Sequence, residues 1–143
     1  MSKIIRSAIT SNSAKSMYNL VSSIEEYPSF LPWCKSIDYK EISETSVVAN
    51  ITAELKGIPV SFSTINTNKP YKEIEIKLKD GPFKSFNGLW LFSDIEGKKS
   101  KVEFSLEYNF KNFILEKTFG LVFDQIAKTI FDAFIKKSNE TRK

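Results

Sequence analysis

The sequence predicts an α+β fold: one curved antiparallel sheet of about seven strands wrapped around a long C-terminal helix. Three observations carry this. Apolar residues recur with a period of two from Ser36 to Phe110, the spacing of half-buried strands. The period then changes to that of a helix from Asn112 to Lys137. Finally, the strand-like runs are separated only by short breaks rich in Gly, Pro and Asn, and strands joined by short turns pair antiparallel.

Taken in order, Lys3–Thr10 is β-rich and forms the first strand. Asn12 or Ser13 caps a helix whose face is Met17, Leu20, Val21 and Ile24. Pro28 and Pro32 bracket a stretch too proline-rich for a long helix, read as a turn or one short helix folding aromatic rings over something. Val47, Ala49, Ile51, Ala53 and Leu55 alternate with Val48, Asn50, Thr52 and Glu54 until Gly57 and Pro59; Val60, Phe62 and Thr64 follow on one face. After Asn68–Pro70, Ile74, Ile76 and Leu78 alternate with Glu73, Glu75, Lys77 and Lys79. Gly81 and Pro82 turn the chain into Phe86, Gly88, Trp90 and Phe92, and Val102 to Phe110 completes the sheet. Charges on one side and apolar residues on the other give the sheet one solvated face.

The long helix carries Ile114, Leu115, Phe119, Val122, Phe123, Ile126, Ile130, Phe131 and Phe134 as its expected apolar face, opposite Gln125, Lys128, Asp132 and Lys136. Asn112 is placed to cap it and Glu116 to meet the dipole of its first turn. Asp124 with Lys128, and Asp132 with Lys136, have the spacing of weak ion pairs. No linker or internal repeat divides residues 1–143, which are read as a single domain.

Composition removes several functions. No histidine is present, which excludes Ser-His-Asp and Cys-His nucleophile systems and the commonest metal ligand. Cys34 alone builds neither a zinc site nor an internal disulfide; it reads as a small buried residue in a chain of a reducing compartment. No phosphate-binding glycine pattern occurs. Arg6, Tyr39 and Tyr108 are the available acid/base or oxyanion groups for a cyclase, with nothing in the sequence that points to them. No catalytic residue is therefore assigned, and no metal. The net charge of +4, with a basic end at Lys136, Lys137, Arg142 and Lys143, permits a weak anionic partner, either ribosomal RNA or anionic lipid. The start, MSKIIRSAIT, lacks the apolar core of a signal peptide, and no apolar run reaches the length of a membrane span. The expected location is the cytoplasm, with peripheral contact at the inner membrane face allowed.

Two stretches carry a family resemblance. One is Glu26-Tyr27-Pro28-Ser29-Phe30-Leu31-Pro32-Trp33-Cys34; the other is GPFKSFNGLWLF, Gly81 to Phe92. Together they resemble the coenzyme Q-binding branch of the START-like superfamily, which includes bacterial ribosome association toxins and is also labelled polyketide cyclase and lipid transport. The resemblance covers essentially the whole chain. It implies the helix-grip (START/Bet v 1-like) fold and a cavity between sheet and helix.

Read with that cavity, the inward residues become a candidate ligand site: Trp33, Ile51, Ala53, Phe62, Ile76, Phe86, Trp90, Phe104, Leu106, Phe119, Phe123, Ile126 and Ile130. Small residues among the large, Ala49, Ala53, Gly88 and Gly120, are expected to leave room. Gly120 in particular costs a helix interior about 1 kcal/mol relative to alanine. Such a lining suits a flat apolar molecule. The resemblance implies ubiquinone or a related isoprenoid lipid, with no obligatory cofactor, and a non-enzymatic role supporting respiratory electron transport. Its alternative is a toxin that binds the large ribosomal subunit and blocks subunit association, and a third is a polyketide aromatase/cyclase. A monomer or weak dimer is expected.

Overall fold

A computed structural model describes residues 2–141. The first strand, β1 (Ser2–Thr10), is followed by α1 (Ala14–Ser22), a 3₁₀ turn (Ile24–Glu26) and the short α2 (Tyr27–Phe30). Six strands follow without interruption: β2 (Cys34–Glu41), β3 (Ser46–Leu55), β4 (Ile58–Lys69), β5 (Glu73–Asp80), β6 (Phe83–Ile95) and β7 (Lys99–Phe110). The chain ends in α3 (Phe113–Thr141). The seven strands form one sheet in the order β1-β7-β6-β5-β4-β3-β2, antiparallel at every step. β1 returns from the N-terminus to pair with β7, Ile4 opposite Leu106 and Ala8 opposite Val102.

Register shifts at Cys34/Ser36, Ser63/Thr64 and Phe83/Ser85 interrupt three of the ladders. Each adds local twist and bend, which lets a seven-stranded sheet curl around a helix. Along β7 the burial alternates strictly, with Val102, Phe104, Leu106 and Tyr108 inside. That period of two is why the strand faces were legible in the residues.

The caps follow the expected chemistry. Ser13 caps α1, its Oγ accepting from the Ser16 N–H at 3.1 Å. The first amide of α1, Ala14 N–H, donates to Asp94 Oδ1 at 2.9 Å and ties the helix to the end of β6. Asn112 caps α3, its Oδ1 accepting from the Leu115 N–H at 2.9 Å.

α3 is about 43 Å long at 1.5 Å per residue. It buries Val122, Phe123, Ile126, Ala127, Phe131 and Phe134 against the inner face of the sheet. Two expectations for this helix are corrected. Ile114 is 73% exposed, not part of the buried face. It precedes Phe123 by nine residues, two and a half turns, and so points to the opposite side. Neither expected ion pair forms among the described residues: Asp132 does not bridge Lys136, and Asp124, instead of meeting Lys128, accepts a hydrogen bond at its Oδ1 from the Tyr108 hydroxyl. Of the basic C-terminal residues, Lys137 lies with its Nζ 5.7 Å from the Phe30 ring, while Arg142 and Lys143 lie outside the described residues.

Candidate functional site

Between the inner face of the sheet and α3 lies a strongly apolar cavity of about 80 Å³. β3 and β4 contribute Ala49, Ile51 and Phe62; β5, β6 and β7 contribute Ile76, Phe86, Trp90, Phe104 and Leu106. α3 closes it with Phe123, Ile126, Ile130 and Phe134. The segment after α1 covers the remaining side with Ile24, Tyr27, Leu31 and Trp33, and Ile37 completes the wall.

Most of the residues singled out from the sequence therefore meet in one place. Two do not. Ala53 is completely buried yet outside the cavity. Cys34 pairs with it across the ladder, and the Trp33 carbonyl accepts from Glu54 N–H at 2.8 Å, so the chain entering β2 lies directly beside it. Phe119 is half-buried against the core but lies one helical turn before Phe123, past the end of the hollow.

The small residues also divide. Ala49 lines the cavity. A Cβ on Gly88 would meet Ile76 Cβ at 3.3 Å, so its missing side chain admits Ile76 and not a ligand. Gly120 faces a surface groove with Phe113, Lys117 and Leu121, and opens no space beneath the helix.

Sequence reasoning missed the polar part of the wall. Thr64 and Asn66 project into this apolar lining from β4 and are 1% and 9% exposed. Thr64 Oγ1 donates to Asn66 Oδ1 at 2.9 Å. Continuing the alternation Val60, Phe62, Thr64 by one step reaches Asn66, but a polar residue gave no reason to take it. The Trp33 indole N–H is the one buried side-chain donor or acceptor without a partner among the described residues.

Asn66 also lines a second hollow of about 280 Å³, which opens beside it between α1 and the ends of β2 to β5. Ile24, Tyr27, Asn66 and Ile76 line both spaces and form the partition between them. Tyr27 is pinned there. Its hydroxyl donates to the Val21 carbonyl, its ring packs edge-on against Phe30 and Phe134, and burial holds its pKa far above the usual phenol range. Cys34 is buried, and that burial pushes its thiol up to about 11, so it stays protonated at neutral pH and unreactive. At the far end, burial and the Asp124 hydrogen bond raise the pKa of Tyr108, which keeps its proton. Among the described residues, no group of three Cys, Asp or Glu side chains is placed to hold a metal, and no helix is long and apolar enough to cross a membrane.

Size limits what this cavity can hold. A volume of about 80 Å³ takes two or three waters at about 30 Å³ each, and falls short of the roughly 150 Å³ that accommodates benzene. A quinone ring enters only if part of the wall moves.

The family model for polyketide cyclase/dehydrase and lipid transport proteins matches residues 11–135. The chain belongs to that family. Over 140 residues it is 35% identical to the ribosome association toxin RatA of Vibrio cholerae, covering 98% of this chain and 97% of that protein. It is 34% identical to RatA of Escherichia coli K12, covering 98% and 89%. Among solved structures, the ZhuI aromatase/cyclase from Streptomyces sp. R1128 superposes with a TM-score of 0.85 at 9% identity, covering 99% of this chain and 96% of that one. Protein CC1736 of Caulobacter crescentus superposes at 0.74 with 23% identity, covering 99% and 98%. These two likenesses establish the helix-grip fold.

Proposed function

We propose that this protein associates with the ribosome, through the large subunit, and inhibits the joining of subunits. The observation that carries this reading is the similarity to RatA proteins along nearly the whole length of both chains. The surface offers a matching electrostatic feature. α1, the β4–β5 turn and the β6–β7 turn meet at one end of the sheet, tied by the Ala14–Asp94 bond and by Phe92 N–H donating to the Lys72 carbonyl at 2.9 Å. That end carries Lys15, Lys69, Lys72, Lys98 and Lys99, with Lys69 alone bridged to Glu73. Tyr71 stands among them, 45% exposed, with Lys15 Nζ 5.4 Å from its ring. Lysines flanking an aromatic suit contact with an RNA backbone and a base.

Purified protein mixed with isolated subunits is expected to pellet saturably with the large one. Reversing charge at Lys15, Lys72 and Lys98 should weaken this by about tenfold or more, because each lysine lost forfeits a counterion-releasing contact. Protein that stays in the supernatant with both subunits refutes the reading.

A second reading has its own support in the apolar cavity under α3. In it the protein binds a hydrophobic ligand such as ubiquinone or a related isoprenoid lipid, in support of respiratory electron transport, with contact at the inner membrane face. In either reading the protein acts without catalysis. Among the described residues the cavity wall presents no carboxylate, ammonium or guanidinium, and its polar groups are limited to Tyr27, Thr64, Asn66 and the Trp33 indole, which argues against an aromatase/cyclase.

A further inference from the structure

The two adjoining hollows differ sharply in chemistry, and the difference selects among ligands. The inner cavity is apolar and holds about 80 Å³; the outer one is mostly polar and holds about 280 Å³. If the partition swings aside, the joined space reaches the lower end of the range of about 300–1,000 Å³ typical of small-molecule sites. The only charged side chains on the outer wall are Glu25 and Glu41, both exposed at its rim. No lysine or arginine lines it. Within the partition, the Asn66 carboxamide is spent only on one side: its oxygen accepts from Thr64, while its Nδ2 donates to no protein group although the residue is nine-tenths buried. A carboxamide nitrogen with two free protons, open to the space at the junction of an apolar and a polar hollow, is placed to donate to a ligand oxygen.

We infer that the outer hollow is the vestibule of the inner cavity, and that together they take an uncharged or cationic amphiphile. Its apolar body lies under α3, its polar oxygen meets Asn66, and its outer end faces Glu25 and Glu41. Fatty acid anions and anionic phospholipids are rejected, since their charge would sit beside two carboxylates with no counter-ion in the wall. The inference rests on the hydrophobic-ligand reading and adds to it the charge class of the ligand and its way in.

Trp33 and Trp90 both line the inner cavity, so intrinsic fluorescence reports occupancy. The full chain is titrated at pH 8 with n-decanol, decanoate and decyltrimethylammonium, which share one tail, and the affinities are confirmed by calorimetry. Decanol is expected to bind saturably, the cation at least as well, and decanoate about tenfold more weakly or worse. Part of that gap reflects the hydration of any carboxylate, so the deciding comparison is the double variant Glu25→Gln with Glu41→Gln. Both positions are exposed, and the variant is expected to fold as the parent does. It should bind decanoate several-fold more tightly and leave decanol unchanged. Equal binding of decanol and decanoate by the parent, or a gap that persists undiminished in the variant, overturns the charge selection while leaving the cavity a ligand site. Failure of all three amphiphiles to bind removes the ligand reading itself, and this inference with it.

Discussion

Replacing Phe123 with alanine should destabilise the protein by about 3–5 kcal/mol, the cost of deleting a buried aromatic ring. Phe123 is 2% exposed and sits where the rings of three strands converge. Its centroid lies 4.8 Å from Tyr108, 5.0 Å from Phe83 and 5.9 Å from Phe62, each in edge-to-face geometry, with Phe86 at 6.0 Å. Edge-to-face pairs add to what burial alone supplies, and truncation releases all of them at once. The loss is large against the roughly 5–15 kcal/mol that holds a domain folded. Phe123 also closes the cavity, so the space left behind merges with the existing hollow. Urea unfolding measures the effect. A loss below about 1 kcal/mol would mean that α3 does not grip the sheet through this cluster.

The second large effect falls on a residue with no side chain. Gly81 turns the chain from β5 to β6 at φ +149°, and a Cβ there would come within 2.6 Å of Phe62 Cβ and 3.3 Å of Phe62 Cα. The nearer obstacle is the root of a side chain and the other is backbone, so neither can swing away. Gly81→Ala should cost about 2–4 kcal/mol, combining backbone strain with overpacking. Gly57 and Gly97 provide the control. Their φ values are +78° and +82°, yet a Cβ at either meets nothing within 4 Å. Alanine there should cost only the left-handed backbone penalty, on the order of 1 kcal/mol. Equal melting shifts for all three variants would show that the contact with Phe62 is not constraining. Since Phe62 lines the cavity, a tolerated Gly81→Ala should also alter the shape of that wall.

The architecture was legible because each element announces itself through its own period. β5 alternates Ile74 and Ile76 with Glu73, Glu75 and Lys77, and α3 repeats its apolar residues at helical spacing. The proline-bracketed segment, read as a turn or one short helix over something, is a short helix, and the segment covers the cavity with Tyr27, Leu31 and Trp33.

What periodicity cannot supply is depth along an element. Ala53 and Ala49 occupy the same face of β3, but Ala53 lies four residues further along, beside Cys34, where the hollow has ended, and only Ala49 is cavity wall. Phe119 and Phe123 share a side of α3, and one turn of helix separates a rim residue from a lining residue. Thr64 was placed on the inward face but not in the site, and Asn66 was passed over because polarity on a strand usually signals solvent; here Asn66 marks the neck between two spaces. The volume of the cavity was not legible at all, since it depends on how closely rings such as Phe62 and Phe86, 5.4 Å apart, pack against one another.

The central claim, that this chain keeps ribosomal subunits apart, is tested most directly by sedimentation of subunits through a sucrose gradient after they are allowed to join in the presence of the purified protein. The account predicts that the peak of assembled ribosomes shrinks and the free-subunit peaks grow as protein is added. The variant reversed at Lys15, Lys72 and Lys98 should do markedly less, and the effect should fade as salt is raised. A gradient unchanged at saturating protein and low salt would contradict it.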